Sequence, residues 1–133
     1  WQSNLELAFN NVGKFKCLSG DLAGASSCYE SSLSIAVNNA HLYPDDIYWQ
    51  KRILVGYNNL GETEIAKGDL TAALCHYSSA LKKGLEINKA GRNKLTWLLD
   101  VAVASDNLAK IFHKQHRLDD ALKQFEFSLQ MRN

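Results

Sequence analysis

The stretch WQKRILVGYNNLG at residues 49–61 decides how this chain is read, because its landmarks recur once upstream and once downstream at a single spacing. Tryptophan stands at Trp1, Trp49 and Trp97, 48 residues apart both times. On that period Leu5, Ile53 and Val101 align without a gap, as do Asn11, Asn59 and Asn107, then Val12, Leu60 and Leu108, and the small residues Gly13, Gly61 and Ala109. Further along come Leu22, Leu70 and Leu118, Ala25, Ala73 and Ala121, the aromatics Tyr29, Tyr77 and Phe125, and Leu33, Leu81 and Leu129. Any amphipathic helical bundle repeats apolar residues every three or four positions. It does not repeat tryptophan, asparagine and glycine at one shared offset. The chain therefore reads as one domain over residues 1–133, built of repeats at 1–48, 49–96 and a shorter 97–133.

Each repeat reads as two helices. In the first, Leu5, Ala8, Phe9, Val12, Phe15 and Lys16 form one stripe, which predicts a packed helix from near Trp1 to Leu18. Gly20 and Gly68 supply the positive φ that follows a helix end, and Asp21 and Asp69 suit the next N-terminus. His116 and Arg117 replace that pair in the third copy, with Asp119 and Asp120 following in the first turn. Second helices are expected over 22–40, 70–88 and 118 to about 131. Between repeats, Tyr43-Pro44-Asp45-Asp46 breaks the chain, with Asp45 as the capping residue. Gly91 and Asn93 mark the second junction. The three tryptophans are expected to share one kind of environment.

The order of small and aromatic residues, with Leu60-Gly61, Ala73, Tyr77 and Ala80 in the second copy and Val12-Gly13, Ala25, Tyr29 and Ser32 in the first, resembles the tetratricopeptide repeat. The third copy, Leu108-Ala109, Ala121, Phe125 and Ser128, follows the same order. The period of 48 exceeds the roughly 34 residues usual for that repeat. With the Trp-Gln starts and Gly-Asp-Leu turns, this longer form looks like tandem arrays in large bacterial proteins. The resemblance implies an all-α fold, a right-handed α-solenoid of six antiparallel helices in three hairpins. One pair cannot bury both its apolar faces, so the hairpins must stack.

Composition narrows the function. Fifteen basic and fourteen acidic residues give a charge of +1 with no block of one sign, which argues against a nucleic-acid partner. Apolar runs such as 97–99 and 101–104 are far too short for membrane insertion. Cys17, Cys28 and Cys75 form no C-x-x-C spacing and read as reduced thiols, which points to a cytoplasmic setting. Because it opens on Trp1 and stops at Asn133 without a helix stop signal, the sequence reads as an excerpt of a longer protein. His113 and His116 lack a companion ligand set, and no nucleophile, phosphate loop or carboxylate pair stands out. The expectation is a non-enzyme with neither cofactor nor metal.

The functional candidates are polar columns on the first helix of each repeat. Asn11, Asn59 and Asn107 recur on the side opposite the packing stripe, beside Asn10, Asn58 and Asp106. Asparagine has mediocre helix propensity and adds no apolar packing, so its recurrence demands either a structural bond to a neighbouring helix or a partner. In the kinesin light chains, which this helix resembles, asparagines beside a Leu-Gly pair line a peptide groove. A rim of mixed charge would flank it, formed by Lys14, Glu62 and Lys110 and by Asn4, Arg52 and Asp100. The expectation is a protein or peptide partner in a concave groove. The alternative is a structural spacer or self-association array within a larger bacterial signalling protein, its exposed apolar ends stacking on sibling repeats; the shorter third hairpin, around Leu122, Phe125 and Leu129, is expected to expose an apolar surface that a next repeat would cover.

Overall fold

A computed structural model describes residues 1–89 and 95–132, which form six α-helices and no strand. They are α1 (Gln2–Leu18), α2 (Leu22–Leu42), α3 (Ile47–Lys67), α4 (Leu70–Lys89), α5 (Leu95–Lys114) and α6 (Leu118–Arg132). The all-α expectation holds. Gly91 and Asn93, assigned to the second junction, lie outside the described residues, as does the side chain of Trp97.

The turns inside each hairpin share one geometry. Gly20 and Gly68 have φ of +86° and +85°, and His116, in the same column, is held at +60°. Tertiary context thus imposes on a histidine the left-handed conformation that glycine adopts without strain. Asp21 and Asp69 accept from the backbone N–H groups of Gly24 and Ala72, at 2.9 Å and 3.0 Å. Asp21 also accepts from Lys16 at 3.3 Å; these bonds, that to Gly24 foremost, hold its carboxyl below the usual carboxylate range. The third turn lacks such a cap, and Arg117 pairs with Asp120 at 2.9 Å while its guanidinium stacks 4.5 Å from the Phe112 ring centre. At the first junction Asp46, rather than Asp45, caps α3, its Oδ1 accepting from Tyr48 N at 3.0 Å. The helix therefore starts two residues ahead of Trp49.

Consecutive helices pack antiparallel, each on the next. Within a hairpin the approach is set by small residues: the ring of Tyr29 covers Gly13 and that of Tyr77 covers Gly61, with Ala25 and Ala73 fully buried alongside. Ala109 leaves less room in the third hairpin, and Phe125 is partly exposed. Between hairpins, Ala36 and Ala40 meet Trp49 and Ile53, and Tyr77 and Ala80 meet Ala104, Leu108 and Ile111. Each large apolar side chain so buried contributes roughly 1.5–3 kcal/mol.

The α1 stripe departs from expectation. Val12 and Phe15 are exposed, whereas Leu60, Thr63, Leu108 and Ile111 in the same columns are buried. The reason is where the covering atoms come from: α2 lies over that stripe on α3 and α4 over it on α5, while no described helix precedes α1. Trp1 and Trp49 differ for the same reason, at 83% and 6% exposure. What α1 buries instead is Glu6, Asn10 and Gly13. No helix among the described residues is long and apolar enough to cross a membrane.

Candidate binding groove

Helices α1, α3 and α5 lie side by side, and their last turns meet the first turns of the second helices at two open cavities. One, of about 470 Å³, lies at the junction of the first and second hairpins, and one of about 640 Å³ at the junction of the second and third. Their walls come from the same repeat columns: Lys14 then Glu62, Leu22 then Leu70, Tyr29 then Tyr77, Asn59 then Asn107, Glu62 then Lys110, Thr63 then Ile111. Glu62 belongs to both and forms the ridge between them. The periodicity that builds the core thus also builds a recurring concavity, of a size suited to several side chains of a bound segment.

The two floors differ chemically. In the first cavity Cys17 packs against Tyr29, its Sγ lies 3.5 Å from Thr63 Oγ1, and Thr63 donates to the Asn59 carbonyl at 2.8 Å. Ile65 and Ile111 replace Cys17 and Thr63 in the second, and the buried Tyr77 hydroxyl has no hydrogen-bond partner among the described residues. Burial pushes both phenols well above their ordinary pKa. The second mouth carries Lys110, His113 and Lys114 against Glu62, whereas Lys14 faces Glu62 at the first. Partial desolvation raises the Glu62 carboxyl, and Lys14 opposes that shift.

The expected site residues divide into two groups. Lys14, Glu62 and Lys110 are exposed on the cavity walls, Asn107 lines the second cavity, and Asn11 and Asn4 are exposed. The others are engaged between helices. Asn59 lines the first cavity, but its amide donates to Asn10 Oδ1 at 2.7 Å, and Asn10 is buried. Asn58 is buried too, donating to the Asp100 carbonyl at 3.2 Å, while its Oδ1 has no partner among the described residues. Asp106 is half-buried. Arg52, expected on the rim, is instead drawn into an ion pair with the fully buried Glu6, with both contacts at 2.8 Å, and Ser32 donates to the same carboxylate at 2.6 Å. Asp100 is half-buried, and desolvation raises its carboxyl against the opposing pull of Lys51 and Arg52.

The sequence reading missed the cavity walls behind those columns. Tyr29 and Tyr77 pack in the core, yet each also lines a cavity. Their 48-residue register with Leu22 and Leu70 beside the Gly-Asp turns was the available signal. Comparison with protein-family models and with curated proteins finds no match to this chain.

Proposed function

We propose that the chain is a right-handed α-solenoid of three tetratricopeptide-type repeats, and that it binds an extended segment of a partner protein along the groove of α1, α3 and α5. The observation that carries this reading is the recurrence of one cavity at successive junctions, lined by equivalent residues. An extended chain meets such a surface in register, with backbone amides within reach of Asn11 and Asn107 and side chains entering the cavities. The alternation Lys14, Glu62, Lys110 suits selection among mixed-charge segments rather than capture of a single-sign polymer. A scaffold without catalysis, working on cytoplasmic partners, is the corresponding biology.

The test is a selection of displayed random peptides on this chain, followed by NMR titration with a synthetic copy of the best binder. Shifts concentrated at Lys14, Glu62, Asn107 and Lys110 support the groove. Shifts confined to the outer faces of α2 and α4, or failure to select any binder, count against it.

A further inference from the structure

The cavity of about 640 Å³ lies between the interior helices α3, α4 and α5, each packed against one helix before it and one after it. Its apolar lining includes Ile65, Leu70, Tyr77 and Ile111; the same columns of the smaller cavity hold Cys17, Leu22, Tyr29 and Thr63. Isoleucine thus replaces both the thiol and the hydroxyl, and the space is larger. That combination suits a bulky apolar group, which gains most from leaving water. The mouth is cationic. Lys110 and Lys114 stand one helical turn apart with His113 beside them, and Glu62 is the one carboxylate among the lining residues. Glu62 also lines the smaller cavity, where Lys14 faces it. Positive charge therefore prevails at the larger opening.

We propose that the larger cavity anchors one bulky apolar side chain of the partner segment, aromatic or long aliphatic, and that a carboxylate two positions from this anchor pairs with Lys110 or Lys114. The inference rests on the groove reading above and names the chemistry of the segment held there. In an extended chain, residues two apart project to the same side and stand about 7 Å from one another. One turn of α5 separates Lys110 and Lys114 by a similar distance, about 6 Å along the axis. A side chain entering the cavity therefore brings its second neighbours alongside the two ammonium groups. Burial of the anchor supplies most of the affinity, because it scales with the apolar area removed from water. The exposed lysines contribute less and decide which anchored segments are accepted.

Labelled Gly-Ser peptides with Glu-Ser-Phe-Ser-Glu, Lys-Ser-Phe-Ser-Lys or Glu-Ser-Ala-Ser-Glu at their centre test it, read by fluorescence anisotropy and by NMR of the Ile65 and Ile111 methyl groups. The first peptide is expected to bind tightest and to shift both methyls. Alanine in place of phenylalanine should weaken binding by about tenfold or more. Lysine in place of glutamate should weaken it by about tenfold. In the double variant Lys110→Glu with Lys114→Glu, both at exposed positions and checked for unchanged helicity, the order of the two phenylalanine peptides should reverse. Absent binding, unmoved methyls, equal affinity for the glutamate and lysine peptides, or an order that the double variant leaves unchanged would each overturn the proposal. A display-selected peptide that shifts Lys14 and Asn59 but neither isoleucine removes the anchor and leaves the groove standing. Shifts confined to the outer faces of α2 and α4 remove both.

Discussion

The ring of Tyr77 occupies the space that a side chain at Gly61 would need: its Cζ stands 2.7 Å from the place of a Cβ there, and both Cε atoms stand 2.8 Å away. Tyr29 bears the same relation to Gly13. Glycine and tyrosine therefore recur together, since either one without the other would leave a clash or a void.

Gly61→Leu is accordingly expected to destabilise the fold by about 1–3 kcal/mol, because the Tyr77 ring is enclosed and cannot swing clear. Chemical denaturation measures this. A midpoint equal to the parent's would show that the α3–α4 crossing is looser than these distances imply.

Much of this architecture was legible in the sequence because close helix crossings restrict residue type. Gly61 with Tyr77, and Gly13 with Tyr29, betray the repeat more plainly than any leucine does. The α1 stripe was misread for a different reason. Periodicity reports which residues share a face, but not which helix covers it: Leu60 is covered by Tyr29 of α2, whereas Val12 in the same column of α1 is exposed, as is Phe15. Glu6 was illegible as well. Its column holds Leu54 and Ala102 elsewhere, and only the fold brings Arg52 and Ser32 to its carboxylate. The asparagine columns read equally well as bonds or as a site; Asn59 bonds Asn10, whereas Asn107 lines the second cavity.

Removing one partner of the Glu6–Arg52 pair leaves a buried charge uncompensated. Arg52→Ala is expected to lose about 3–5 kcal/mol. The combined replacement Glu6→Leu, Ser32→Ala and Arg52→Met, which removes the whole polar cluster, should regain most of that loss. Urea denaturation of the two variants checks the pair, and equal stability for both would mean that the ion pair is not what holds α1 to α3.

His116 holds a positive φ that costs a residue with a Cβ about 1 kcal/mol or more. His116→Gly should therefore stabilise the chain by about 1 kcal/mol, a reversal of the usual penalty for glycine. A lower thermal midpoint for the glycine variant would place the third turn in another conformation.

Burial raises the Asp100 carboxyl above its ordinary value, so the folded state resists its ionisation. With the folded pKa above the unfolded one, this residue's contribution to stability falls as pH rises through that interval, and the loss is complete at neutral pH. Asp100→Asn should consequently be more stable than the parent at pH 7, with the difference fading by about pH 3. An asparagine variant less stable than the parent at neutral pH would show that Lys51 and Arg52 more than offset the desolvation.

The central claim is that the groove of α1, α3 and α5 holds a partner segment, and Lys110 offers the cleanest access to it. Its side chain is exposed on the wall of the larger cavity, so charge reversal there should leave the helices intact. The measurement is fluorescence anisotropy of a peptide selected on the parent chain, titrated with the parent and with Lys110→Glu under matched helicity. A loss of about tenfold or more in affinity, equivalent to roughly 1.4 kcal/mol, is the predicted result. Affinity unchanged by the substitution would contradict the account and place the binding surface elsewhere on the molecule.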